Sequence, residues 1–440
     1  FLCPPFRFVV QYVWYSYRLI IRIAGSLLAT LTTMIYYSMP VSLFYQKAGN
    51  SAAPVIISIC SGRRAGMVIL MSEKPKHLLF VFRDMGMGGA QKVQAFVANA
   101  CLERGYRVSV ISLTSKAITV DIDKRIPVYT VDFDSVGSRI KMPVKWAHRV
   151  GSFVYKLRNQ IKTVNPDLLV VFLVDTVRMV EIATKGLDIP ILGSERGDPI
   201  QFGRRKLKQY SRSLNRCKMV VFQLEEAKKP YALKPALNTR VIANPCVPRI
   251  GQFFEVNTSQ QSDNVILSAG RLCKQKRFDI LIKAFSIVHE VLPEYKLIIY
   301  GEGELRNELE KLVSDNGLNN CVELPGDAKD PFIQTIKPKI FALTSDFEGI
   351  PNVLIEAMGY GIPCISTDCS PGGAAFLLDN GRRGKLVPKD DWQTFGRELV
   401  DLARNQQARE TYSKTGMEIF DLFPPGKIME MWLSAINECF

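Results

Sequence analysis

The chain has 440 residues, of which 47% are hydrophobic and 22% charged, so it is long enough for two globular domains and too apolar to be disordered. Its ten cysteines contain no CxxC pair and its three histidines are far apart, which argues against a disulfide framework and a histidine metal site and for buried thiols in a reducing compartment. Net charge is +15, unevenly spread: residues 1–70 carry six basic groups and no acid, residues 71–246 carry 30 basic and 15 acidic, and residues 247–440 carry 21 basic and 27 acidic. A basic half beside a mildly acidic one predicts two halves with different partners.

Residues 1–70 are set apart as a leader. Within them, residues 23–44 form an uncharged run of 22, enough to cross a bilayer, with cations on both sides and hence no clear orientation. The other reading is an extension ahead of a natural start at Met71, where a polar stretch precedes the first strand.

From residue 77 short apolar runs alternate with amphipathic stretches. Strands are predicted at 78–82, 108–113, 168–173, 189–193, 219–222 and 240–242, and a helix at 90–103 with Val93, Phe96, Val97 and Ala100 on one face. The pattern then restarts after a polar linker, residues 247–262. Strands are predicted at 265–269, 296–300, 321–324, 340–343 and 364–366, with helices at 278–291 and 305–315. The expected architecture is therefore α/β, with two Rossmann-like domains (71–246 and 263–424) facing each other across a cleft. A last helix, 427–437 within a segment 425–440, is expected to pack back at the domain junction.

Three loops carry candidate chemistry. The strongest is Asp346-Phe347-Glu348-Gly349-Ile350-Pro351-Asn352-Val353-Leu354-Ile355-Glu356. Pro351 suits a first helical position, leaving Glu348 in the loop and Glu356 more than one turn inside the helix. Helix N–H groups there suit a diphosphate, the inner carboxylate suits a ribose diol, and the outer one suits sugar hydroxyls. The second loop, Gly270-Arg271-Leu272-Cys273-Lys274-Gln275-Lys276, brackets a strand end with Arg271 as a planar fork for phosphate oxygens and Lys276 as a point charge. A solvated basic loop is the alternative. The third, Gly86-Met87-Gly88-Gly89-Ala90-Gln91, fails as a dinucleotide fingerprint because Gln91 stands where the last glycine is needed. It remains a glycine loop at a helix start. Glycine turns at 301–303 and 370–373 and the charged segment 194–199 also follow predicted strands.

Together these residues resemble glycosyltransferase family 4, retaining enzymes with the GT-B fold. The resemblance covers residues 77–440 and rests on Glu348 with Glu356, Arg271 with Lys276, Gly88 with Gly89, Asn244-Pro245 and residues 384–388. It implies that Glu348 contacts the donor sugar, Glu356 the nucleotide ribose, and Arg271 and Lys276 the diphosphate. Gly88, Gly89, Gly270, Gly349, Ile350, Pro351, Asn352 and Leu354 would complete donor binding. No cofactor or divalent metal is implied; the nucleotide sugar is a co-substrate. Many members place a histidine beside the reacting sugar, and none of the three here fits. Segment 194–199 resembles a subgroup in which Arg196 would take part of that role.

The expected activity is transfer of a hexosyl unit from a UDP-sugar to a lipid-linked glycan in lipopolysaccharide or other surface polysaccharide assembly, by a cytoplasmic enzyme peripheral to the membrane. A sugar-nucleotide epimerase of similar fold is the alternative. The membrane expectation comes from cations at 139–162 around an apolar stripe (Val150, Phe153, Val154, Leu157, Ile161) and from a second cluster at 204–216. The same stripe is equally what a helix burying a core face would show. No aromatic-basic module for nucleic acid is visible.

Overall fold

In the computed structural model the described residues are 42–46, 55–61, 64–70 and 74–440, apart from 87, 134–142, 247–262, 329 and 333–336. The described residues fall into two compact units, those up to Pro75 and those from Lys76 onward. In the first unit β1 (Ser42–Gln46), β2 (Val55–Ser61) and β3 (Arg64–Leu70) pair as an antiparallel meander. The last three residues of the uncharged run 23–44 belong to β1; the rest of that run, Met71 and the linker 247–262 lie outside the described residues.

The second unit holds two sheets in which every strand pairing is parallel. The first contains β4 (His77–Phe82), β5 (Arg107–Ser112), β6 (Val128–Thr130), β7 (Leu168–Phe172), β8 (Ile191–Ser194), β9 (Met219–Phe222) and β10 (Asn238–Val241), in the order β10-β9-β8-β7-β4-β5-β6. The second contains β11 (Asp263–Ala269), β12 (Lys296–Tyr300), β13 (Val322–Gly326), β14 (Pro338–Leu343), β15 (Cys364–Asp368) and β16 (Lys385–Pro388), in the order β13-β12-β11-β14-β15-β16. β4, β7, β8 and β9 are buried along their whole length, as continuous apolar runs covered on both faces require. Each sheet has a switch point where the order reverses, between β4 and β7 and between β11 and β14. Such points open a crevice beyond the strands' C-terminal ends.

Helices cover the sheets: α1 (Gly89–Glu103), α2 (Pro143–Val164), α3 (Val174–Ala183), α4 (Arg204–Leu214), α5 (Phe278–Val291), α6 (Arg306–Asp315), α7 (Asn352–Gly359), α8 (Trp392–Arg404) and α9 (Pro425–Asn437). On α2, Phe153, Leu157 and Ile161 are buried with Val177 and Val180 of α3 and Leu214 of α4 against one face of the first sheet. The apolar stripe is thus a core face, not a surface free to enter a bilayer, while Arg149, Lys156 and Lys162 stay exposed on the other side. Among the described residues no helix is long and apolar enough to cross a membrane.

The helix α9 returns to the first sheet. Trp432, fully buried, stacks on Phe172 at 5.2 Å, and Tyr106 donates to Asn437 Oδ1 at 2.6 Å. One continuous apolar cluster runs from Phe80 and Val97 through Trp432 to Leu354 and Phe341, joining the two sheets beneath the crevice. At roughly 25 cal/mol per Å² of apolar surface removed from water, that shared cluster is why the two halves behave as one unit.

Candidate active site

The three predicted loops land on the switch points. The glycine loop after β4 faces the loop after β7; the 270–276 loop after β11 faces the 344–352 loop after β14. The two crevices open on one another, and the space between them is a cavity of about 1380 Å³. This exceeds the roughly 300–1,000 Å³ of a typical small-molecule site. Gly88, Gly89, Gly270, Arg271, Lys276 and Glu348 border it, as do Gly349, Ile350, Pro351, Asn352, Glu356 and Arg196.

Lys276 forms an ion pair with Glu348 at 2.5 Å, with side chains only 15% and 11% exposed. Ser345 donates to the same carboxylate at 2.8 Å. Thr344 Oγ1 donates to the Lys276 carbonyl, and Gln275 Nε2 to the Phe347 carbonyl, so the two loops of the second sheet are stitched together. Gly270, at φ 159°, lies against the lysine stem; a Cβ there would sit 3.1 Å from its Cε. Arg271 is exposed at the cavity edge; its carbonyl accepts from the Cys273 N–H, while its guanidinium makes no hydrogen bond or ion pair with any described residue. A guanidinium held at a cavity edge with its donors unused is suited to an anionic ligand.

Two helix N-termini converge here, those of α1 and α7, whose free N–H groups and positive dipole ends favour an anion between them. Their first turns touch: Asn352 Nδ2 donates to the Gly89 carbonyl at 2.8 Å, and a Cβ on Gly89 would lie 2.8 Å from that nitrogen. Lys92 of α1 pairs with Glu356 of α7 at 2.8 Å. From β9 and the segment after β10, Gln223 accepts from the Ile350 N–H at 3.1 Å, and Asn244 Nδ2 donates to the Ile350 carbonyl and to Asn352 Oδ1. Gly349 is required by close approach: a Cβ would lie 2.0 Å from Gln223 Oε1 and 2.5 Å from the Arg196 carbonyl.

Several expectations need correction. Pro351 is the N-cap of α7, one residue outside the predicted first helical position, with extended backbone (φ −72°, ψ 108°). Leu354 is fully buried in the core and does not border the cavity; the helix phase turns it inward, and its N–H donates to Pro351. The Ile350 N–H is engaged by Gln223 instead of facing the cavity. Arg196 borders the cavity, but its guanidinium is buried over the rings of Phe172 and Trp432 at 5.1 and 5.4 Å. Its Nη1 donates to the Ile242 carbonyl, and burial lowers its pKa to about 9. It ties β8 to α9 rather than facing a reacting sugar. The adjacent Glu195 accepts from the N–H groups of Val174, Arg196 and Gly197 and from Tyr231, while burial pushes its carboxyl upward.

Sequence reasoning missed Lys92 and Gln223 as members of this network; Asn244 and Asp198 stood in segments it did single out, and the structure puts Asn244 on Ile350 and Asn352 and Asp198 on Ser370. Of Lys92 and Gln223, Lys92 left a local signal: a cation in the first turn of a helix opposes the macrodipole and calls for a local partner.

Comparisons with known proteins bear on the fold and the activity. Residues 250–418 match the family described as glycosyl transferases group 1. Over 366 residues the chain is 27% identical to a Campylobacter jejuni GalNAc-alpha-(1->4)-GalNAc-alpha-(1->3)-diNAcBac-PP-undecaprenol alpha-1,4-N-acetyl-D-galactosaminyltransferase, covering 82% of this chain and 98% of that one. It is 27% identical to a glycosyltransferase of Haemophilus influenzae, covering 80% and 97%. In fold it is similar to Anabaena HepE solved with UDP and glucose, at a TM-score of 0.65 and 20% identity over 82% of this chain and 99% of that one. Residues 250–418 thus match the group 1 glycosyl transferases, and the chain is a glycosyltransferase with the GT-B fold.

Proposed function

We propose that the chain transfers a hexosyl unit from a UDP-sugar to a lipid-linked glycan in surface polysaccharide assembly. The observation that carries this reading is the convergence of Arg271, Lys276, Glu348 and Glu356 on one cavity. The donor's diphosphate lies between Arg271, Lys276 and the ends of α1 and α7, its ribose on Glu356 and its sugar beside Glu348. As the bond from the anomeric carbon to the diphosphate breaks, the electron pair leaves with the phosphate oxygen. The cations are in place before that charge develops, which is what makes them effective. The acceptor hydroxyl bonds to the anomeric carbon on the same face and gives its proton to the departing phosphate. The charge is met without a metal ion.

The acceptor reading is supported by the cavity lining, which includes the apolar Leu113, Phe133, Leu173 and Met179 and the cations Lys116 and Arg83, the latter paired with Asp175. Apolar wall and cations together suit an amphiphile carrying a phosphate. It is supported too by relatives: one acts on an undecaprenol-linked glycan by name, and another, 28% identical over 242 residues, is an amylovoran biosynthesis glycosyltransferase of Erwinia amylovora. An anionic membrane would be met by surface cations of α2 and α4, among them Arg149, Lys156, Arg204 and Arg205.

The test is a panel of UDP- and GDP-sugars offered with polyprenyl-diphosphate-linked glycans, reading nucleotide release and product. A UDP-hexose consumed only with such an acceptor is expected. Turnover with none of them, or with a free glycan alone, would overturn the assignment. Co-sedimentation with anionic vesicles that fades with salt is expected for the membrane contact; salt-insensitive or absent binding contradicts it.

A further inference from the structure

Lys92 stands in the first turn of α1, where the dipole disfavours a cation, yet it reaches across the cavity to Glu356 Oε1 at 2.8 Å. The side chains keep 31% and 29% exposure, so the pair adds little to stability by itself. It sits beside the Asn352–Gly89 contact, and the two together lock the first turn of α1 onto that of α7. A carboxylate offers roughly four acceptor sites and Lys92 occupies one of them, which leaves Oε2 and further lone pairs open to the cavity.

We propose that Lys92 is a positioning residue for the donor nucleotide, reaching from the first sheet's half to aim the Glu356 carboxylate at the vicinal hydroxyls of the ribose. This rests on the reading of Glu356 as the ribose acceptor. The contact requires the two halves to be closed on one another. Nucleotide binding and closure therefore favour each other, since each supplies part of the geometry the other needs.

The experiment is calorimetric binding of UDP and GDP, each with its 2′-deoxy counterpart, to the full chain and to Lys92→Met and Lys92→Arg. The wild-type protein should prefer the ribonucleotide by about tenfold or more, the scale of one hydrogen bond to a charged group. Lys92→Met should lose affinity for the ribonucleotide by a similar factor and lose most of the preference; Lys92→Arg should restore both. A Lys92→Met protein that binds more weakly but keeps the wild-type preference would reduce Lys92 to a structural contact and overturn the proposal. So would unchanged affinity. If the wild-type protein binds a nucleotide but ignores the 2′-hydroxyl, and Glu356→Gln binds equally well, the ribose reading of Glu356 falls and the proposal with it.

Discussion

Lys276 can be tested for two roles at once, because it is both the counterion of Glu348 and the cation placed on the diphosphate. Lys276→Met leaves Glu348, whose side chain is 11% exposed, with Ser345 as its hydrogen-bond donor at 2.8 Å. Leaving a largely buried carboxylate without its cation costs about 1–3 kcal/mol, below the roughly 3–5 kcal/mol of a fully buried pair, because the cavity admits some water. Urea unfolding reads that loss. Turnover should fall by about 10²–10³, the cost of removing one preorganised donor to a developing charge. The double variant Lys276→Met with Glu348→Gln removes the stranded charge and should recover most of the stability while remaining slow in a nucleotide-release assay. A single variant turning over within about threefold of wild type would refute the reasoning. So would a double variant that regains activity along with stability, since Lys276 would then serve Glu348 alone.

Arg271→Ala should slow turnover by about 10²–10³ with an unchanged urea midpoint, since the side chain has no described partner to lose; a matching drop in stability would contradict its placement. Gly349→Ala drives a methyl against Gln223 and the Arg196 carbonyl, so a loss of about 1–3 kcal/mol is expected in urea unfolding, and a neutral effect would show that the two halves separate easily. Burial lowers the pKa of His77 below its ordinary 6.5, its Nε2 being on Ser109 at 2.9 Å. The unfolded chain therefore takes up the proton first. The stability this residue contributes is present above pH 6.5 and is lost as pH falls from there through the folded value, with a slope of up to about 1.4 kcal/mol per pH unit. His77→Gln should remove that slope from the unfolding curve; an identical pH profile would reject it.

Much of the second sheet is legible because its signals are local. The helix predicted at 278–291 and the strand at 296–300 coincide with α5 and β12 because apolar periodicity and flanking polar residues agree there. The loops after β11 and β14 were readable because phosphate and sugar chemistry demands unusual residues at strand ends. What stayed hidden depends on contacts distant in sequence. Nothing local separates a stripe such as Phe153, Leu157 and Ile161 bound for a membrane from one bound for a core. Arg196 was given a site role by the resemblance of segment 194–199 to a subgroup of the family, but the ring pair of Phe172 and Trp432 that receives it is assembled from residues 260 positions apart. Leu354 was assigned to the donor from its place in the motif, and the turn of α7 settled its direction.

The most direct test is a crystal structure of the chain with a nucleoside diphosphate bound. The account predicts diphosphate oxygens within hydrogen-bonding distance of Arg271 and Lys276 and the ribose hydroxyls on Glu356. A nucleotide seated elsewhere, with Arg271 still in solvent and Glu356 held by Lys92 alone, would contradict it.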